Sequence, residues 1–191
     1  MWRNKAISDT YEPGSVFKIV TGSAAYDESK VSKTSTFNCS GKINIAGTTY
    51  NCHKHSGHGH QDLADAFQNS CNPAFIQIGQ MLGTELFFKY FQAYGLTERT
   101  GIDLPGEASS IYHAETQMGM TELASSSFGQ TFQVTPIQMI TAVSSAVNGG
   151  NLVKPYVVDR ILDRNGNVIK SNATTPKRQA ISKETSDTVR Y

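Results

Sequence analysis

Apolar positions along this chain fall into short amphipathic blocks separated by glycine and proline, the pattern of several helices of about ten residues interleaved with hairpins. The run Ser15-Val16-Phe17-Lys18-Ile19-Val20-Thr21, entered from Pro13-Gly14, predicts a helix over 15–25. Lys42-Ile43-Asn44-Ile45 alternates polar and apolar, and Ala46-Gly47 suits a two-residue turn into Thr48-Thr49-Tyr50, so a hairpin is predicted there. Further helices are predicted over 63–69, 73–82 and 85–94, the last capped by Thr84 and closed by Gly95. Leu86, Phe87, Tyr90, Phe91 and Tyr94 share one face of that helix and read as core. After a loop-rich stretch, Thr135-Pro136 opens another helix that Asn148-Gly149-Gly150 closes. Asn165-Gly166, between strands over 153–162 and 168–170, predicts a second hairpin, and 171–181 reads as a polar linker. The expected fold class is α+β and mainly helical.

Composition narrows the function classes. The 191 residues suffice for one sizeable core, and a net charge of +1 with no basic patch gives no reason to expect nucleic acid. No apolar stretch approaches 18 residues, and the first residues lack the charged-then-apolar pattern of a signal peptide.

Chemistry concentrates at two short motifs. Ser15 and Lys18 stand three positions apart, which places a hydroxyl and an amine on one helix face. A helix N-terminus carries partial positive charge, so an ammonium in the first turn is disfavoured, and burial lowers its pKa further. Both effects favour the neutral amine that a general base requires, and backbone N–H groups near Ser15 are placed to stabilise an oxyanion. The plainer alternative is a capping serine followed by a solvated lysine. The second motif is Ser70-Cys71-Asn72. Asn72 reads as an N-cap and Pro73 as the first helical residue, which leaves Ser70 and Asn72 on a short connection that faces a cleft.

Together, Ser-x-x-Lys at Ser15 and Ser-x-Asn at Ser70 match two of the three elements of penicillin-binding proteins and their relatives. Arg3-Asn4-Lys5-Ala6 and Ser8-Asp9-Thr10-Tyr11-Glu12-Pro13-Gly14-Ser15 resemble the approach to the nucleophile in class B penicillin-binding proteins, the monofunctional transpeptidases of division and sporulation. Thr100-Gly101-Ile102-Asp103-Leu104-Pro105-Gly106-Glu107, Ser127-Phe128-Gly129-Gln130, Val134-Thr135-Pro136-Ile137-Gln138 and Asn148-Gly149-Gly150 are similar to that family's later landmarks, in the same order. The third element, Lys-Thr/Ser-Gly on a strand, is missing after Ser70, and Lys33-Thr34 lacks the glycine and lies upstream. Family order puts that strand beyond Tyr191, and the strands before the nucleophile helix ahead of Met1. The resemblance therefore implies that residues 1–191 are an internal, partial transpeptidase domain: the helical part of the penicillin-binding protein and serine beta-lactamase fold, with short hairpins and most of the central antiparallel sheet absent.

The resemblance implies acyl transfer. Ser15, deprotonated by Lys18, attacks the carbonyl between the terminal D-alanines of a peptidoglycan stem peptide; Ser70 relays the proton to the leaving amine, and Asn72 holds the peptide amide. The implied partners are stem peptides, beta-lactam antibiotics and a cell-wall synthesis complex. The implied location is the extracytoplasmic face of the bacterial membrane, with the anchor outside this piece. The chemistry requires no cofactor. By itself the piece is expected to be inactive. Three other readings stand beside this one: a class A beta-lactamase with Glu107 as its glutamate, a penicillin-sensing receptor domain, and a non-catalytic helical module that at most binds metal.

All three cysteines, Cys39, Cys52 and Cys71, lie in the first 71 residues, and four of the five histidines, His53, His55, His58 and His60, lie within eight residues of one another. The hairpin at Ala46-Gly47 brings Cys39 and Cys52 together at its open end. With Cys71 and either His58 or His60 they make a tetrahedral donor set for a structural zinc. A Cys39–Cys52 disulfide and three unpaired thiols are the alternatives.

Overall fold

The computed structural model describes residues 3–190. Its elements run α1 (Lys5–Ser8), a 3-10 turn (Gly14–Phe17), α2 (Lys18–Asp27), β1 (Thr36–Cys39), β2 (Lys42–Ile45), β3 (Thr48–Asn51), β4 (Gly59–Asp62), α3 (Leu63–Gln68), α4 (Asn72–Leu82), α5 (Thr84–Ala93) and a 3-10 turn (Glu115–Gln117). They continue as α6 (Met120–Ser126), α7 (Pro136–Val147), β5 (Asn151–Val153), β6 (Arg160–Leu162), β7 (Val168–Ser171), β8 (Pro176–Gln179) and α8 (Lys183–Val189). Helices and strands are mixed, as expected. Among the described residues the strands form four two-stranded sheets, each antiparallel. No helix among them is long and apolar enough to cross a membrane.

Helix α2 is the axis of the packing. Val20, Thr21, Gly22, Ser23, Ala24 and Ala25 are buried, and the helix touches α4, α5, α7 and α8. Small side chains explain how so many neighbours approach one short helix. Phe17, fully buried, seats the start of the helix against the rings of Phe132, Phe87 and Phe91 at 4.8, 5.9 and 6.0 Å. The aromatic face predicted for α5 is this core: Phe87, Tyr90, Phe91 and Tyr94 are buried and Leu86 is packed against them.

The first hairpin forms as predicted, with Ile45 opposite Thr48. Ala46 and Gly47 take φ of 49° and 87°, the two positive values that a type I′ turn requires. Thr84 proves to be the first helical residue of α5 instead of its cap, the cap position falling to Gly83. The predicted strand over 153–162 is split into β5 and β6, because Pro155 has no N–H and Asp103 takes the Val157 and Val158 N–H groups at 2.8 and 2.9 Å.

The linker expected over 171–181 is corrected: β8 within it pairs with β5, Asn151 opposite Gln179. Its side chains are mostly exposed, so the hydrogen-bonded partner is what makes it a strand. Helix α8 has no signal in the sequence pattern either, because Lys183-Glu184-Thr185-Ser186-Asp187-Thr188-Val189 has no apolar stripe. Its N-terminus is held through polar groups: Ser182 Oγ accepts from Thr185 N–H at 3.1 Å, and Asp27 Oδ1 accepts from Ser182 N–H and Thr185 Oγ1 at 3.0 and 2.7 Å.

Candidate active site

The turn that carries Ser15 starts tighter than a helix over 15–25 would. Pro13 and Gly14 lead into a 3-10 turn through Phe17, and α2 begins only at Lys18. In that geometry positions three apart nearly eclipse, so Ser15 Oγ and Lys18 Nζ lie 3.1 Å apart. A loop far along the chain holds the turn in place. Gly14 N–H donates to the Gly129 carbonyl at 2.8 Å, and Glu12 Oε1 accepts from Thr131 N–H at 2.9 Å. Gly129 must be glycine, since its φ is 87° and a Cβ would stand 2.0 Å from the Gly14 carbonyl oxygen. Thr131 takes φ 66°, an uncommon value for a β-branched residue. Ser127-Phe128-Gly129-Gln130 stands out in the sequence, but this buttress does not, because Glu12 and Thr131 belong to no short pattern.

The second motif sits at the end of α3. Ser70 N–H donates to the Phe67 carbonyl at 2.9 Å and Cys71 N–H to the Ala66 carbonyl at 3.1 Å, the paired bonds of a Schellman motif. Ser70 occupies the left-handed position of that motif, φ 45°, where glycine is the comfortable residue. The turn aims its hydroxyl at the lysine. Asn72 departs from expectation: the cap position of α4 falls to Cys71, and no side chain caps the helix. The Asn72 Oδ1 accepts from Lys18 Nζ instead, while its Nδ2 donates to the Asn51 carbonyl at 3.4 Å.

Lys18 Nζ is thus the hub. It lies 2.6 Å from the Ser70 carbonyl, 2.8 Å from Asn72 Oδ1, 3.0 Å from Ser70 Oγ and 3.1 Å from Ser15 Oγ. The side chain is only 3% exposed. Burial pushes its ammonium down to about 8, against an opposing pull from the neighbouring Cys71 and Cys52 sulfurs. A neutral amine has two donors and one lone pair. The Ser70 carbonyl and Asn72 Oδ1 can only accept, so they take both donors and leave the lone pair to the two hydroxyls. The structure therefore brings together Ser15, Lys18, Ser70 and Asn72. A groove of about 640 Å³ runs from Ser15, Lys18 and Ser70 along α2 past Ile19 and Phe67 to Val189.

Glu107 has a different task. Its carboxylate accepts from Thr100 N–H and Oγ1, both at 2.6 Å, and from Gly101 N–H at 3.0 Å, which staples a loop.

Beside the second motif, Cys39, Cys52, His58 and Cys71 place their ligand atoms within 4.8 Å of one another. The three cysteines are free thiols and buried. Cys52 Sγ lies 3.5 Å from His58 Nδ1, and His58 is held below the usual imidazole range by partial burial and by Lys54 and His53. Burial pushes the Cys71 thiol up to about 12. Desolvation acts the same way on Cys39, but backbone N–H groups of His58 and Gly41 and the neighbouring thiols outweigh it and hold Cys39 below the usual thiol range. His60, the alternative ligand, lies outside the cluster: it is exposed on β4, opposite Asn38. Alternation along the strand turns it away while Gln61 turns in.

Residues 1–191 match the penicillin binding protein transpeptidase domain family over their whole length. The chain belongs to the penicillin-binding protein transpeptidase family. Stage V sporulation protein D of Bacillus subtilis is 44% identical over 191 residues, a match covering 99% of this chain and 30% of that protein. A peptidoglycan D,D-transpeptidase FtsI homolog of Mesostigma viride is 31% identical over 176 residues, covering 85% of this chain and 29% of its own length. Among solved structures, penicillin binding protein 3 of Mycobacterium tuberculosis in complex with aztreonam superposes with a TM-score of 0.90 at 27% identity, covering 100% of this chain and 42% of that one. The penicillin-binding protein chain described here thus spans about three tenths of the length of these curated relatives.

Proposed function

We propose that the full-length protein containing this chain is a penicillin-binding D,D-transpeptidase that cross-links peptidoglycan stem peptides through a Ser15 acyl-enzyme. The observation that carries this reading is the single amine of Lys18, buried and bonded to Ser15, Ser70 and Asn72 at once. Lys18 accepts the Ser15 proton as Oγ attacks the D-alanyl carbonyl, and Ser70 passes a proton to the departing amine of D-alanine. Asn72 holds the amide of the stem peptide. An amine from a neighbouring strand then attacks the ester and frees Ser15. The Mycobacterium tuberculosis protein noted above was solved with aztreonam, which supports beta-lactams as ligands of the same groove. In this reading residues 1–191 are a partial transpeptidase domain, most of the central sheet and a Lys-Thr/Ser-Gly strand come from the rest of the protein, and the active protein works at the extracytoplasmic face of the membrane.

Fluorescent penicillin is the test: stable labelling of the full-length protein, with release of D-alanine from a stem pentapeptide, is expected. Labelling without D-alanine release overturns the transpeptidase in favour of a penicillin sensor, and rapid turnover of a chromogenic cephalosporin overturns it in favour of a beta-lactamase. A finer test separates structure from chemistry at Ser70. Ser70→Gly relieves a left-handed backbone, so its melting temperature should match or exceed wild type while acylation slows. A slowed variant that is also less stable would contradict the assigned role of the hydroxyl.

We further propose that Cys39, Cys52, His58 and Cys71 hold a structural zinc. Three sulfurs and one imidazole are a standard donor set, and tetrahedral Zn–S bonds put sulfurs about 3.8 Å apart, inside the observed spread. Bound zinc would fix Cys71 and hence Ser70 and Asn72 on either side of it. Full-length protein purified without a histidine tag should carry one zinc per chain, and at free zinc a thousandfold above Kd its removal by a chelator should cost about 4 kcal/mol of stability. Metal content near zero after mild handling contradicts the proposal.

A further inference from the structure

We infer that Glu12 is a positioning residue for acylation: its carboxylate locks the loop over 129–134 in the geometry that holds the Ser15 hydroxyl against the Lys18 amine. The inference rests on the acyl-enzyme reading above and adds a residue outside the hydrogen-bonded group of Ser15, Lys18, Ser70 and Asn72. Residues 10–14, which lead into the Ser15 turn, run antiparallel to 129–134. Thr10 Oγ1 donates to Gln133 Oε1 at 2.8 Å, Tyr11 and Val134 exchange backbone bonds at 3.0 and 3.1 Å, and Gly14 N–H donates to the Gly129 carbonyl at 2.8 Å. The pairing slips between those contacts, because two residues, Glu12 and Pro13, face the four from Gln130 to Gln133. The longer side must bulge.

A bulge leaves backbone groups without ladder partners, and proline on the facing side has no N–H to offer. Thr131 sits in this bulge at φ 66°, which a β-branched residue holds only where its surroundings over-determine it. Its N–H donates to Glu12 Oε1 at 2.9 Å, and its hydroxyl donates to the Gln130 carbonyl at 2.6 Å and lies 2.8 Å from Ser125 Oγ. Of these contacts, the one to Glu12 ties the bulge to the segment that carries Ser15. It is charge-assisted, hence strong and directional. Glu12 and Thr131 are both exposed, so the bond adds little to the core. Its reach across the slip fixes where Gly129 meets Gly14, and hence where the turn presents Ser15 Oγ, 3.1 Å from Lys18 Nζ. A general base acts only at hydrogen-bond range, so a shift of that turn by about 1 Å takes the proton acceptor away from the hydroxyl.

The test follows acylation of the full-length protein by fluorescent penicillin over a range of drug concentrations, which separates the acylation rate constant from the dissociation constant of the non-covalent complex. Glu12→Ala removes the acceptor, Glu12→Asp keeps the charge but falls a methylene short, and Glu12→Gln keeps the reach and a carbonyl acceptor without the charge. In the alanine and aspartate variants the rate constant should fall about 10–100-fold, with the dissociation constant within about threefold of wild type and labelling still running to completion. Their melting temperatures should stay within about 4 °C of wild type. Glu12→Gln should acylate within about threefold of the wild-type rate, because the Thr131 N–H keeps an acceptor. The aspartate variant carries the test if the alanine variant does not fold. A wild-type rate constant in Glu12→Ala or Glu12→Asp overturns the inference. A glutamine variant as slow as the alanine one also overturns it, since charge and not reach would then be what acts. Incomplete labelling at an unchanged rate constant, with a lowered melting temperature, overturns it in favour of a merely structural contact. Absence of covalent label in wild type overturns the acyl-enzyme reading itself, and this inference with it.

Discussion

Ser15→Ala in the full-length protein is expected to abolish covalent labelling by fluorescent penicillin while leaving the fold intact. Ser15 is exposed at the mouth of the groove, and its Oγ contacts Lys18 Nζ. Removing a surface hydroxyl costs within about 0.5 kcal/mol, so the melting temperature should hardly move. The buried Phe17 and the Gly14–Gly129 bond, which set the turn, do not depend on that oxygen. Loss of label with retained stability identifies the nucleophile. Label that persists in the variant would show that another residue carries the acyl group.

Lys18→Met should slow acylation by about 10²–10⁴-fold, the usual contribution of a positioned general base. Methionine fills most of the same buried space, so the loss reflects the amine more than a cavity. The variant also leaves the Ser70 carbonyl and Asn72 Oδ1 without their shared donor, which loosens the second motif. Two signatures separate base catalysis from that loosening. Ser15 should remain acylated slowly, and the residual rate should lose the pH dependence that wild type shows near the Lys18 pKa. A rate within threefold of wild type would remove the lysine from the mechanism.

Much of this site was legible because its chemistry is local. Ser15 and Lys18 meet by helical spacing, and the Ala46-Gly47 turn fixes how Cys39 and Cys52 converge. What could not be read depends on contacts distant in sequence. The β1–β4 pairing closes around the hairpin between its strands, and β4 is Gly-His-Gln-Asp, with none of the residues that favour strands. That pairing selects His58 over His60 and turns Gln61 inward. Local propensity favours Asn72 as a cap, but its oxygen is taken by a lysine 54 residues away. Ser70 breaks a local rule in the same sense, a serine where the turn wants glycine. Such conflicts between local preference and observed position gather at the site, where side chains answer to chemistry instead of to the backbone.

The pH dependence of acylation of the full-length protein bears most directly on the central claim, that burial makes Lys18 a base near neutrality. With its pKa lowered to about 8, the amine that accepts the proton is protonated at low pH. The rate should therefore climb about tenfold per pH unit below the pKa, bend near pH 8 and level off above it. A profile flat from pH 6 to 9, or one still rising past pH 10 as for an ordinary lysine, would contradict the account.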